Sequence, residues 1–287
     1  VISRTINNLA TSKLDLKVRC SLSGQTKIFH QYTTHPLRVS NPFRLDKNNS
    51  HRLYLYLRNN SPGLLAEDEL NLAVQLEQGS QLYLTEQAAT KVHPVLEQNA
   101  AAQVNYQITI AENASLEFVP EPLILYADAA LKQTTNITIY PNSNLFWSEI
   151  VIPGRLARGE SYKFNYYDSC LNVTSSEGQL LFKDRSYLEG KNNQFKNSSL
   201  FAAHSIMGTA IAVYPEIGCH KLQKAIDNIV IADKNEAIVA TSTLPYEQGI
   251  IIRALSNKSE QIKNYFRSAL NSIRSLQDDS ALPYIAK

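Results

Sequence analysis

Across residues 14 to 185 apolar and polar positions alternate in short runs, the period expected of strands with one buried face. Leu70, Leu72, Val74 and Leu76 fall on one side of such a run, with Asn71, Gln75 and Glu77 on the other. Val104, Tyr106, Ile108 and Ile110 repeat the scheme. Each run then closes in a small polar corner and restarts on an apolar residue: Gly79-Ser80-Gln81-Leu82, Asn113-Ala114-Ser115-Leu116 and Asn142-Ser143-Asn144-Leu145. The corners recur 34 residues apart and then 29 residues apart. Glycine and asparagine suit the left-handed backbone that a tight corner demands. The pattern predicts a mainly β body, either a β-helix-like stack of coils or layered antiparallel sheets, since both close their strands this way.

The last third changes period. Leu222, Ala225, Ile226, Ile229 and Val230 recur at helical spacing. From Ser259 to Leu276, Ile262, Tyr265, Phe266, Ala269, Leu270, Ile273 and Leu276 form one apolar stripe, which predicts an amphipathic helix near the C-terminus. Ser259 is the expected N-cap, with Glu260 in the first turn, and Arg274 is expected to answer the helix dipole at the other end. Ala237 to Leu244 and Gly249 to Leu255 read as two further strands. No Gly/Ser-rich linker or charge block interrupts the chain. The expectation is one unit over 1–287, β-rich from 14 to 215 and mixed α/β from 216 to 287.

Composition narrows the function. At 287 residues, with 44% hydrophobic and 19% charged residues, the chain is long and apolar enough for a sizeable core. A formal net charge of +2 gives no field for a nucleic-acid backbone or an anionic membrane, so neither is an expected partner. Cys20, Cys170 and Cys219 are odd in number and widely spaced, which argues against a disulfide framework or a structural zinc site. The first residues carry no secretory pattern and no run is long enough to span a bilayer, so a cytoplasmic location is expected.

Catalytic motifs are missing: there is no GxSxG, HExxH, GxxxxGK[ST] or GxGxxG. The histidines lack chelating spacing; Cys219 and His220 are adjacent, so their side chains are expected to diverge, leaving at most a transient metal contact. Glu67-Asp68-Glu69 reads as a solvated turn leading into a strand. More unusual is Gly154-Arg155-Leu156-Ala157-Arg158-Gly159-Glu160, where glycines bracket two arginines in a loop that can present guanidinium groups to a partner or serve as an ordinary basic turn.

Taken in order, six segments resemble the urease accessory protein UreD, called UreH in some bacteria. They are Pro36-Leu37-Arg38-Val39 before Pro42-Phe43; Ser61-Pro62-Gly63-Leu64-Leu65-Ala66-Glu67-Asp68-Glu69-Leu70; Leu84-Thr85-Glu86-Gln87-Ala88-Ala89-Thr90-Lys91-Val92; Leu116-Glu117-Phe118-Val119-Pro120-Glu121; Gly154-Arg155 with Gly159-Glu160; and Ile250 to Arg253. Pro62 and Glu67 stand where the family usually has glycine, so the backbone of that loop is expected to differ. The resemblance implies a β-helix-like, non-catalytic maturation factor. It would bind the urease apoprotein and UreF, through which the GTPase UreG joins, and would assist nickel delivery. No tightly bound cofactor is implied; nickel would be transient. On that reading Asp68, Glu149 and Glu160 are the candidate nickel path, and Lys91, Arg155 and Arg158 the candidate partner-binding residues. A β-solenoid scaffold of another metallocofactor pathway, such as iron–sulfur assembly, is the alternative. A polysaccharide-active β-helix enzyme is a third reading, which would need spaced carboxylates and normally a secretion signal.

Overall fold

The computed structural model describes residues 11–46, 51–97, 100–192, 198–230 and 237–286. Its first strands are β1 (Thr11–Cys20), β2 (Thr26–Thr33), β3 (Leu37–Val39), β4 (Leu53–Asn59), β5 (Glu69–Leu76), β6 (Gln81–Glu86), β7 (Thr90–Val92), β8 (Ala102–Ile110), β9 (Ser115–Val119) and β10 (Leu123–Leu125). There follow β11 (Ala130–Ile139), β12 (Asn144–Ile152), β13 (Tyr166–Ser175), β14 (Leu180–Glu189), α1 (Ser199–Ala203), β15 (Ile206–Val213), α2 (Cys219–Asp227), β16 (Ala237–Thr243), β17 (Ile250–Ser256) and α3 (Ser259–Leu276).

The strands form two sheets, one ordered β14-β13-β11-β8-β5-β1-β2 and the other β16-β17-β15-β12-β9-β6-β4-β3, with β10 joining β12 to β7. In the middle of each sheet the pairing is parallel: β1, β5, β8, β11 and β13 in the first, β4, β6, β9 and β12 in the second. The chain crosses from first sheet to second and back, β5 to β6, β8 to β9 and β11 to β12, so successive coils stack. Of the two architectures the pattern allows, this is the β-helix-like one, closed by antiparallel strands at the ends.

Stacking follows from the period-2 pattern, because in parallel register equivalent residues of successive coils meet. Leu16, Val74, Ile108, Ile137 and Val173 form one internal row, and Leu53, Leu82, Leu116 and Leu145 face them from the other sheet. All nine are buried, each contributing roughly 1.5–3 kcal/mol of hydrophobic stabilisation. The corners stack too: Gly79, Asn113 and Asn142 take φ of 70°, 57° and 55°. Their backbones bond corner to corner, Gly79 N–H to the Glu112 carbonyl at 3.1 Å and Asn144 N–H to the Ala114 carbonyl at 2.8 Å. Outside, Asn105 donates to Asn71 at 3.1 Å and Asn172 to Asn136 at 2.9 Å.

The C-terminal strands extend the second sheet through β15 and β17. On its outer face α3 buries Ile262, Phe266, Ala269, Leu270 and Ile273, so the apolar stripe is spent on the chain's own sheet. Gly208 of β15 permits the approach, since a Cβ there would stand 2.5 Å from Ile262 Cγ2. One expectation about α3 needs correction, and one is extended. The N-cap is Lys258, without a side-chain cap; its N–H bonds to Ser256 Oγ at 3.0 Å. Arg274 does not merely answer the dipole: it is wholly buried in an ion network. Of the second predicted helix only Cys219 to Asp227 is helical; Leu222 and Ile226 are buried, and Val230 lies beyond the end, exposed. Among the described residues no helix is long and apolar enough to cross a membrane.

Candidate functional site

At the end of the coils away from the stacked corners, polar residues replace the apolar rows between the sheets. In β11 the inward positions read Leu131, Gln133, Thr135 and Ile137, and all four are buried. In β12 Glu149 continues the inward row of Leu145 and Trp147, and in β6 Glu86 continues that of Leu82 and Leu84. The result is a cavity of about 190 Å³ between the sheets. Glu86, Gln133, Ser148, Glu149 and Tyr106 supply its polar wall, against Leu70, Leu72, Val104, Phe118 and Trp147. Its mouth is formed by Asn60 to Gly63, Gln87 to Lys91, and Pro120 with Glu121.

Two donors hold the Glu149 carboxylate. Tyr167 OH donates to Oε1 at 2.5 Å, and Gln133 Nε2 donates to Oε2. Burial pushes the Glu149 pKa up, and these two hydrogen bonds partly offset the shift. Tyr106 and Tyr167 are both held far above the usual phenol range, chiefly by burial, with Glu149 adding to each and Glu86 hydrogen-bonded to Tyr106. The wall therefore offers two carboxylates and neutral oxygen donors, a set that suits a hydrated divalent cation held loosely.

Of the six predicted site residues, two meet this cavity: Glu149 in its wall and Lys91, on β7, at its exposed mouth. Asp68 instead closes its own turn, with Oδ2 accepting the Leu65 N–H at 2.8 Å. Glu160 is engaged by Arg155, whose Nε donates at 2.8 Å and whose second nitrogen bonds the other oxygen. That pairing lowers the Glu160 pKa, and the same guanidinium lies 4.5 Å from the Tyr126 ring centre. Arg155 thus folds back onto its loop, while Arg158 stays exposed beside it. Gly154 makes this fold possible: at φ 141° a Cβ would stand 2.1 Å from the Glu160 carbonyl oxygen. The three predicted carboxylates do not form one cluster. In the loop before β5, Glu67 takes φ 66°, the left-handed region that favours glycine, so the backbone there keeps the conformation a glycine would take.

The sequence reading missed Glu86, Gln133, Tyr106 and Tyr167. A signal existed for one of them: Gln133, like the predicted Glu149, is a polar residue on the inward parity of an otherwise apolar strand. Glu86 sits inside the most distinctive of the resembling segments, yet at a strand end its parity alone says nothing. Four of the six segments, those containing Leu37, Ser61 to Gly63, Glu86 to Lys91, and Phe118 to Glu121, converge on the cavity.

Fold and site together define a two-sheet β-solenoid with a polar-walled cavity between its sheets. Comparison with known proteins is specific: residues 10–287 match the family described as UreD urease accessory protein, and the chain belongs to that family. It is 48% identical to the urease accessory protein UreD of Trichodesmium erythraeum, over 97% of this chain and 100% of that one. It is 30% identical to the UreD of Bacillus cereus, with 84% of each chain covered. Against the urease accessory protein UreH of Helicobacter hepaticus it is 30% identical, over 88% of this chain and 95% of the relative.

Proposed function

We propose that this chain is a non-catalytic maturation factor that passes nickel to urease. It binds the urease apoprotein and UreF, with UreG joining through UreF, and acts in the cytoplasm as one unit over 1–287. The cavity carries this reading: Glu86 and Glu149 line an enclosed space that four of the family-like segments surround. Oxygen donors bind Ni²⁺ weakly and exchange quickly, which suits a carrier that has to release its cargo. Nickel is the cargo and no resident metal is required. Lys91 and Arg158, both exposed, are the cations available to a partner; Arg155 shapes the loop that carries Arg158. The free thiols Cys20, Cys170 and Cys219 agree with a reducing compartment.

The test is urease activation in cells under limiting nickel. Glu149→Gln and Glu86→Gln each lower urease specific activity severalfold, and surplus nickel restores it. Both proteins still co-purify with urease and UreF. Wild-type activation by both variants at limiting nickel would remove the cavity from the path, and failure of the wild-type chain to co-purify with urease would remove the partner assignment.

A further inference from the structure

A second group of metal-ligating side chains lies on the outer side of the second sheet, away from the cavity. Cys219 opens α2 and His220 follows it. The sequence predicts that these neighbours diverge, but the turn between β16 and β17 corrects the geometry by bringing a third donor to them. That turn, Pro245–Glu247, holds Tyr246 and Glu247 at φ 56° and 55°. It is pinned by Leu244 N–H to the Gly249 carbonyl at 2.8 Å and Glu247 N–H to the Leu244 carbonyl at 3.2 Å. A side chain at 249 would meet the Ala212 carbonyl at 2.2 Å, so the glycine there lets the turn lie against β15.

One ligand atom from each of Cys219, His220 and Glu247 lies within 4.8 Å of the others, the only such group of three among the described residues. His220 Nε2 and Glu247 Oε1 are 3.6 Å apart. A tetrahedral ion with bonds of about 2.0–2.3 Å sets its donors roughly 3.3–3.7 Å from one another. The imidazole and carboxylate are therefore already at coordination spacing, and the thiol is at most about 1 Å further off. Cys219 is buried, whereas the His220 and Glu247 side chains are 78% and 68% exposed. Three protein donors facing solvent leave a fourth position open for water or an exchanging ligand. Sulfur, nitrogen and oxygen together select a borderline ion over the hard cations Mg²⁺ and Ca²⁺.

We propose that Cys219, His220 and Glu247 form a surface site for one borderline divalent transition-metal ion such as Zn²⁺, Ni²⁺ or Co²⁺. The site is separate from the cavity and independent of the role given to it. Binding displaces the thiol proton to solvent and forms a metal–thiolate bond with no change of oxidation state.

The experiment titrates the full chain with Co²⁺ and follows thiolate-to-cobalt charge-transfer absorption in the near ultraviolet, with calorimetry using Ni²⁺ and Zn²⁺ in parallel. One ion per chain with a saturable charge-transfer band is expected, and Cys20→Ser and Cys170→Ser keep it. Cys219→Ser abolishes the band. Because Cys219 is packed under α2, the decisive variants are His220→Ala and Glu247→Gln, which change exposed side chains and leave the metal-free melting temperature in place. Each weakens binding by about tenfold or more, by analogy with the cost of disturbing even a supporting residue of a metal site. Absence of the band in the wild-type chain overturns the proposal, as does binding of unaltered affinity in both decisive variants.

Discussion

Arg274 offers the most demanding test of how the C-terminal helix is joined to the solenoid. Its side chain is fully buried, with Nε donating to Glu117 Oε1 at 2.9 Å and a terminal nitrogen to Oε2 at 2.5 Å. The same guanidinium donates to Tyr54 OH at 3.2 Å and to the Ser280 carbonyl at 3.3 Å. Arg52 completes the group, 2.6 Å from Asp279, 3.3 Å from Asp46 and 3.7 Å from Glu117. Burial by itself lowers the pKa of both arginines, but their partners together more than reverse this, Glu117 with Asp279 for Arg52 and Glu117 with Tyr54 for Arg274, so both stay charged. Two cations thus face three carboxylates. Arg274→Met keeps the stem volume but leaves one cation among three carboxylates, and takes from Glu117 the only hydrogen-bonding guanidinium it has in the network. Breaking a buried pair from one side costs about 3–5 kcal/mol. At about 2–4 °C per kcal/mol for a large domain, that is a melting point lower by roughly 6–20 °C. Differential scanning calorimetry and urea denaturation read the change. In the double variant Arg274→Met/Glu117→Leu the loss shrinks, because no orphaned carboxylate remains. A single variant within about 1 kcal/mol of wild type, as expected of a surface pair, would refute the reasoning. So would a double variant no better than the sum of the two singles.

Other expectations follow from the cavity and the corners. Glu149 has a raised pKa in the folded state, so its ionisation works against folding: its cost is absent below the unfolded carboxylate pKa and grows as pH rises toward the raised value. Glu149→Gln therefore gains stability relative to wild type at neutral pH, and the gain disappears on acidification; melting temperature against pH checks this. Gly154→Ala forces a Cβ against the Glu160 carbonyl and costs about 1–3 kcal/mol or more, whereas Gly159→Ala, whose Cβ would meet nothing within 4 Å, costs only the left-handed penalty of about 1 kcal/mol. Denaturation midpoints separate the two. At the third corner, Asn142→Ala costs about 1–2 kcal/mol and Asn142→Gly is near neutral, because φ there is 55°.

The alternation of Leu70 to Leu76 and the Gly79, Asn113 and Asn142 corners made the coils legible, because period and left-handed residues are local properties of the chain. Whether strands paired in parallel stacks or antiparallel layers was not legible, since pairing joins segments some 30 residues apart that look alike in either case. The span of α3 was read to the residue, but not its cap or the fate of Arg274. Glu117 lies 157 positions away in sequence, and only the stacking of Tyr54, Tyr83, Glu117 and Phe146 on one outer row brings it beneath the helix. The site divided the same way. Glu149 could be found as a charge within an apolar run, whereas Glu160 looked equivalent until its partner five residues earlier, Arg155, was seen to occupy it.

The two hairpins that close the first sheet have a bearing on how this architecture tolerates change in length. β2 and β14 run antiparallel to their neighbours and, beside exposed Phe29, Tyr32, Leu180 and Tyr187, present the polar side chains of Lys27, His30, Lys183 and Arg185, which discourage another chain from continuing the ladder. Growth of the first sheet is discouraged at both of its edges. A longer relative has to gain whole turns between the rims, or lengthen its loops, because one residue inserted within a strand would invert every side chain after it.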